Sequence, residues 1–159
     1  QTKWGWVGVL GSSTGLRRST LPQPTSKEAS KQLGWETEEA VYRSGVFPKL
    51  RESIQAYLRG EAKTLDVPLD LEGAPPFYKA AWEACRRIPL GETRSYAWLA
   101  SEAGYPGANQ AAGQAMAQNR LPLIVPCHRV VASDGSLHGY RGGLVMKEQL
   151  LQMESRSME

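Results

Sequence analysis

Cys127 and His128 stand side by side in the run Leu123-Ile124-Val125-Pro126-Cys127-His128-Arg129-Val130-Val131, between two stretches of β-branched residues. A thiol attacks as its thiolate. With an ordinary pKa of about 8.5 only a few per cent is ionised at neutral pH, so a working nucleophile needs a base or a positive field. His128 is the base at hand. Adjacent residues often point apart, so direct contact and a bridging water both remain open. A histidine works best when its second nitrogen is held by a carboxylate or carbonyl, which fixes the tautomer. Glu154, toward the C-terminus, is one candidate among several acids. The plain alternative is that Cys127 is a packed small hydrophobe, since free cysteine is among the most buried residue types. A cysteine hydrolase is a further reading, but such enzymes usually draw their histidine from a distant position, for which the chain offers only His138.

The elements around the pair must hold it still. Val and Ile favour extended backbone, and Pro126 fixes its own φ and removes a donor, so the run predicts a strand or buried turn that presents Cys127. Before it, Phe77, Ala81, Ala84, Cys85 and Ile88 share one helical face, which makes Cys85 a core residue. Gly91 to Ser95 reads as a turn, and Tyr96, Leu99, Ala100 and Ala103 form the apolar side of a short helix broken by Gly104-Tyr105-Pro106-Gly107. A second helix follows, rich in Ala111, Ala112, Gly113, Ala115 and Met116, small enough for close backbone approach. Two short helices across a glycine-containing turn have the pattern of a helix-turn-helix, although many such pairs merely pack a core. After the cysteine, Ser133-Asp134-Gly135-Ser136 makes a tight turn leading to Leu137, like a small wing. Gly142-Gly143 then precedes a last helix through Leu144, Lys147, Leu150, Leu151 and Glu154, and implies positive φ or close approach at its head. Nearer the N-terminus, Trp4 to Leu10, a Gly11 to Gly15 turn and the run from Leu16 give a hairpin pattern. Phe47, Leu50, Ile54, Tyr57 and Leu58 recur at helical spacing around Pro48, closed by Gly60. Pro68 and Gly73-Ala74-Pro75-Pro76 interrupt all periodicity, which places a boundary there and predicts domains over 1–72 and 73–159.

A chain of 159 residues can bury a real core as one domain or two small ones. No apolar run approaches the roughly 20 residues that span a bilayer, so a membrane protein is not expected. Two cysteines and no secretory leader suggest a reduced, cytoplasmic setting, although the sequence begins at Gln1. With two cysteines and two histidines no zinc-ligand spacing exists, and neither a metal nor another cofactor is expected. The net charge of +3 is concentrated toward the C-terminus: from Arg94 to Lys147 five bases stand against two acids. That balance suits a phosphate backbone but is also that of an ordinary solvated face.

Pro126-Cys127-His128-Arg129-Val130 resembles the active-site motif of the O6-alkylguanine-DNA alkyltransferases. Gly91-Glu92-Thr93-Arg94-Ser95-Tyr96, the helix pair through Met116, Asn119 and Gly139-Tyr140-Arg141-Gly142-Gly143-Leu144 follow that family in order. Residues 76 to 154 carry the likeness, and the first 70 or so share only the style of the family's bacterial N-terminal domain. The resemblance implies an α/β (α+β) fold, with a ribonuclease-H-like N-terminal domain on a small sheet and a C-terminal winged-helix domain. It implies a monomeric repair protein that transfers an alkyl group, once, from O6-alkylguanine in double-stranded DNA to Cys127. His128 is then the base acting through water, Glu154 orients it, Asn119 braces the motif, and Tyr96 helps turn the nucleotide out and donates a proton toward the leaving base. Met116, Val130, Leu137, His138, Tyr140 and Arg141 are expected to line the substrate pocket, with backbone amides near Tyr140 and Arg141 donating to the guanine oxygen. Ala108, Gln110 and Ala111, on a helix entering the minor groove, and Arg94 and Arg129 are expected at the DNA. Such chemistry requires a flipped nucleotide and donors for the departing base.

Two positions depart from the family. Gln110 stands where an arginine usually replaces the extruded base; glutamine keeps hydrogen bonding but lacks the stacking cation, so weaker flipping or duplex affinity is expected. His138 replaces a small residue at the pocket rim, and its imidazole either narrows the pocket or points to solvent. An alternative from another class is a sensor that binds the lesion without accepting the alkyl group; such proteins typically lack the acceptor cysteine, which is present here.

Overall fold

A computed structural model describes residues 1–34, 37–38, 40–42, 47–61, 63–140 and 142–159. The chain divides into two units: Gln1–Asp70 with Arg120–Ile124, and Leu71–Asn119 with Val125–Glu159. Both mix helices with small sheets, and no helix among the described residues is long and apolar enough to cross a membrane.

In the first unit, strands β1 (Val9–Gly11) and β2 (Leu16–Ser19) pair antiparallel with a register irregularity after Leu10. The turn between them closes through Ser12 N donating to Gly15 O at 2.8 Å. Gly15 is required by space: a Cβ there would lie 2.5 Å from the carbonyl oxygen of Pro68. Helix α1 (Ser26–Gln32) has no counterpart in the sequence reading, because it buries only Ala29 and so shows no apolar face. Its start is nonetheless written in the chain, where Thr25 Oγ1 accepts from Glu28 N at 3.1 Å. Helix α2 (Pro48–Leu58) carries Pro48 in its first turn and buries Leu50, Ile54, Tyr57 and Leu58. Phe47, read as part of its apolar face, is instead its N-cap, at φ +51°. Asp70 is buried and satisfied by Arg17 Nη1 at 3.0 Å and Ser12 Oγ at 2.5 Å.

Residues Arg120–Ile124, which the sequence reading kept with the C-terminal segment, cluster with this first unit. The reason is main-chain pairing: Ser19 N donates to Arg120 O at 3.0 Å and Ser19 Oγ to Pro122 O at 2.8 Å. Hydropathy patterns carry no trace of such a bond.

The second unit packs helix α3 (Pro76–Arg86) with α4 (Tyr96–Glu102) and α5 (Asn109–Ala117). Ala81, Ala84, Cys85, Ala112 and Ala115 are fully buried, and Trp82 Nε1 donates to Ala115 O at 2.8 Å. Small residues let the helices close on one another: a Cβ at Gly113 would sit in van der Waals contact, 4.0 Å from the ring of Tyr96. Ser95 caps α4 by accepting from Trp98 N at 3.0 Å. Arg94 and Ser95, read as the end of a turn, are extended as β3 (Arg94–Ser95) and pair in parallel with β4 (Val130–Val131). Helix α6 (Leu144–Ser157) closes the unit, with Gly143 before it at φ +88° and open space around it, so positive φ rather than close approach explains the glycine.

Candidate active site

The motif is a turn, not a strand. Cys127 N donates to Val125 O at 2.8 Å and Arg129 N to Pro126 O at 2.9 Å, closing a single 3-10 turn over Cys127–Arg129 before β4 begins. Pro126 fixes the entry, and the valines extend only after the turn has faced its side chains into the unit. Cys127 keeps 8% of its surface exposed, whereas His128 has none. The pair is thus a nearly covered thiol beside a fully covered imidazole.

Asn119 lies at the end of α5 and is itself buried. Its Nδ2 donates to Val125 O at 3.0 Å and to Cys127 Sγ at 3.2 Å, so one amide fixes both the backbone entering the turn and the sulfur. On α6 the spacing of Lys147, Leu150 and Glu154 puts all three on the buried face. His128 Nε2 and Glu154 Oε1 are 2.6 Å apart. Burial pulls against a charged Glu154, but the hydrogen bonds and charges of His128 and Arg129 overcome it and hold the carboxyl down to about 2. An ionised carboxylate only accepts. Nε2 therefore carries the hydrogen, which leaves Nδ1 as the basic nitrogen of a neutral ring. Burial also lowers His128, against the upward pull of its bond to Glu154, with Arg129 and Lys147 lowering it further.

Arg129, expected at the DNA, is committed inward. Its Nε lies 3.0 Å from Glu154 Oε2, its Nη2 2.9 Å from Glu154 Oε1, and its Nη1 donates to Ile88 O at 2.8 Å. Its side chain is 11% exposed. A fork against a carboxylate is the geometry for which guanidinium is suited, and this one keeps the orienting acid ionised. The sequence held a signal for this only in the charge balance of a buried helix face, which needs a counter-ion for any acid upon it.

The remaining expected residues fall into two groups. Tyr96 opens α4, half-buried; burial first and then the charge of Cys127 push its phenol up, so the hydroxyl stays protonated within the electrostatic reach of the thiol. The ring of His138 is 6.3 Å from that of Tyr96, and the ring of Tyr140 meets His128 edge-on at 6.5 Å. Met116 and Val130 are buried, Leu137 is half-buried and His138 exposed. Arg141 lies outside the described residues. Cys85 is buried, and burial raises its thiol, followed by the charge of Cys127. The second group, Ala108, Gln110 and Ala111, lies at the start of α5, with Gln110 exposed. Arg94 pairs with Glu92 at 2.9 Å and lies 5.6 Å from the centre of the Trp98 ring. Among the described residues no three His, Cys, Asp or Glu side chains converge as metal ligands.

This arrangement supplies a braced thiol, a neutral buried imidazole with a defined basic nitrogen, and a protonated phenol nearby: a nucleophile, a base and an acid. The family described as 6-O-methylguanine DNA methyltransferase, DNA binding domain, matches residues 76–156. The methylated-DNA–protein-cysteine methyltransferase of Mycolicibacterium paratuberculosis is 42% identical over 125 residues, 79% of this chain and 72% of the relative. The constitutive enzyme of the same name from Bacillus subtilis is 45% identical over 105 residues, 65% and 63% respectively. Among solved structures, the O6-methylguanine methyltransferase of Mycobacterium tuberculosis superposes with a TM-score of 0.81 at 34% identity, covering 98% of this chain and 90% of that one. The Mycobacterium tuberculosis OGT in complex with DNA gives a TM-score of 0.75 at 34% identity, covering 95% and 87%.

Proposed function

The chain belongs to the 6-O-methylguanine DNA methyltransferase family, and from that premise we propose how its residues carry out the repair. The protein binds DNA containing alkylated guanine and transfers the alkyl group to its own cysteine, one group per chain. The observation that carries the residue assignment is the sulfur of Cys127, held by Asn119 beside a histidine whose tautomer Glu154 fixes.

His128, through water at Nδ1, takes the proton of Cys127. The thiolate attacks the alkyl carbon on O6; the S–C bond forms as the C–O bond breaks and its electron pair passes to the guanine. The protonated Tyr96 hydroxyl meets the charge that develops on the departing base. An alkyl ether is a poor electrophile, so stabilisation that exists only in the transition state is where the rate is gained. The thioether has no leaving route, which makes the reaction single-turnover. Met116, Val130, Leu137, His138 and Tyr140 line the base and alkyl pocket in this reading, with Arg141 beside them in sequence. Arg129 is not among the DNA contacts; its charge belongs to Glu154. Ala108, Gln110 and Ala111 form the minor-groove face of α5, and Arg94 lies beside the duplex; the small exposed or half-exposed side chains on that helix support this.

We take 1–72 and 73–159 as the two domains in chain order, the first, to which Arg120–Ile124 returns, as a ribonuclease-H-like sheet and the second as a winged helix. The close pairing of α4 with α5 and the tight turn after β4, where Gly135 N donates to Ala132 O at 2.8 Å, support the latter. The protein is read as a cytoplasmic monomer. The lesion-sensor alternative is not favoured, because the acceptor thiol is present and the relatives are methyltransferases.

The test is the intact mass of the protein after mixing with a duplex bearing one O6-methylguanine. One methyl group is gained by the wild type and none by Cys127→Ala. A mass unchanged while the lesion is bound overturns the transfer reading.

A further inference from the structure

From Ala103 to Asn119 the chain carries no charged residue: the turn after α4 and the whole of α5 are built from small, amide and apolar side chains. A DNA-facing helix ordinarily draws much of its affinity from bases set against phosphates, and this stretch supplies none. What it presents instead is one large ring. Tyr105, in the turn, is 51% exposed, whereas Met116, the other bulky apolar residue of the stretch, is buried. An exposed tyrosine needs no explanation by itself, but this one is held in place from two sides. Its N donates to Ala100 O at 2.9 Å, at the end of α4, and its carbonyl accepts from Ala108 N at 3.1 Å, at the entrance to α5. Pro106 follows, with a φ set by its own ring. The side chain is supported as well. Its ring meets that of Phe77, in the first turn of α3, edge-on at 5.1 Å and 76°. Phe77 meets Tyr78 at 6.5 Å and Tyr78 meets the buried Trp82 at 5.9 Å, so the exposed ring stands at the end of an aromatic row that runs back into the core. Backbone and ring are thus ordered before any partner arrives, which leaves little conformational freedom to lose on contact.

We propose that Tyr105, on its Phe77 support, is an apolar docking platform for duplex DNA: its ring packs on a deoxyribose beside the minor-groove face of α5 and supplies affinity where that helix has no cation. This rests on the reading of α5 as the minor-groove face, with which the platform is continuous through the Ala108 N bond to Tyr105 O. A sugar presents C–H faces that a ring covers without reading sequence, and the gain comes from apolar surface removed from water. No counter-ion is released by such a contact, so its contribution does not fade with salt as a lysine or arginine contact does.

The test follows duplex binding by fluorescence anisotropy over a series of salt concentrations, for wild type, Tyr105→Ala, Tyr105→Phe and Gln110→Glu, with an undamaged duplex and one bearing O6-methylguanine. Far-UV circular dichroism checks that each variant is folded. Tyr105→Ala is expected to raise Kd on the order of 10-fold for both duplexes at every salt concentration, with the wild-type slope of log Kd against log salt, and Tyr105→Phe to stay within about twofold of wild type. An unchanged Kd in Tyr105→Ala overturns the proposal. So does a shallower salt slope, which marks a lost phosphate contact, and so does an equal loss in Tyr105→Phe, which assigns the contact to the hydroxyl. A loss confined to the damaged duplex also overturns it, since docking on a sugar is indifferent to the lesion. If Tyr105→Ala does not fold, the wild-type protein decides through nitration by tetranitromethane, read by peptide mass. Saturating duplex should slow modification of Tyr105 about fivefold or more while the 91% exposed Tyr42 reacts as before, and a Tyr105 rate indifferent to DNA overturns the platform. Gln110→Glu tells the two failures apart, because an acid on the exposed start of α5 weakens binding only where that helix faces DNA. If it leaves Kd unchanged, the reading of α5 falls and the platform with it; if it weakens binding while Tyr105→Ala binds as wild type, the platform alone falls.

Discussion

Glu154→Gln isolates the charge that organises the site while keeping its shape. The carboxyl is held at about 2 against an ordinary 4.5, and at about 1.4 kcal/mol per pH unit that difference is on the order of 3 kcal/mol of stability at neutral pH. A second route gives a similar figure: removing the carboxylate takes from the Arg129 guanidinium, 11% exposed, its partner in a buried ion pair, and breaking such a pair costs about 3–5 kcal/mol. The variant should therefore unfold about 3 kcal/mol more easily at pH 7, measured by urea denaturation. The sign with pH follows. A carboxyl whose folded pKa is depressed gives stability that is fully present above the unfolded value and lost as pH falls from about 4.5 to about 2. His128, lowered by burial, adds a loss in the same direction that begins below its ordinary 6.5. Wild type should lose stability through both ranges, and Glu154→Gln should flatten the lower one. On activity, the amide no longer favours the proton on Nε2 with a full charge, and general-base assistance is worth roughly 100- to 10,000-fold. Transfer to Cys127 measured by intact mass should slow on the order of 100-fold. A variant that transfers at the wild-type rate and keeps the wild-type acid profile would falsify the assignment of Glu154 as the orienting charge.

Tyr96→Phe removes the proton donor but keeps the ring beside Gly113 and His138, so the maximal transfer rate should fall roughly 10- to 100-fold with DNA affinity unchanged; an equal loss in both points to a binding role. Gln110→Arg supplies a cation on the exposed start of α5 and should tighten duplex binding by severalfold, with a steeper salt dependence in fluorescence anisotropy titrations; an unchanged slope removes residue 110 from the DNA face. In the first unit, Gly15→Ala drives a Cβ to 2.5 Å from Pro68 O and should cost about 1–3 kcal/mol by thermal unfolding, with transfer at permissive temperature intact.

The candidate chemistry was the most legible part of the chain because it is local: a thiol, an imidazole and a proline in three consecutive positions mark a candidate nucleophile before any fold is known. Helices with strong apolar faces, α2 and α3, were legible for the same reason, since period 3.6 is written in side-chain type. What escaped was set by partners distant in sequence. Arg129 reads as a cation facing DNA until α6 brings Glu154 against it, and nothing in the spacing of α6 marks the two carbonyls that meet Lys147. Helix α1 buries too little to leave a pattern, and β3 is two residues long, extended only because β4 lies alongside. At Cys127 the sequence leaves a strand and a buried turn both open, because propensity counts the flanking valines and isoleucine, and the hydrogen bonds to the Val125 and Pro126 carbonyls decide for the turn.

The excursion of Arg120–Ile124 bears on how the protein emerges from the ribosome. The Ser19 Oγ bond to Pro122 O joins residues 103 positions apart, so the N-terminal unit cannot be completed when its own seventy residues have been made. It must wait, incompletely bonded, until the helices α3 to α5 have been synthesised and the chain has passed residue 124. An N-terminal fragment ending at Asp70 should therefore be a poor stand-in for that unit. Released N-terminal fragments ending shortly before Arg120 and shortly after residue 124 should differ in the protease resistance of the N-terminal region.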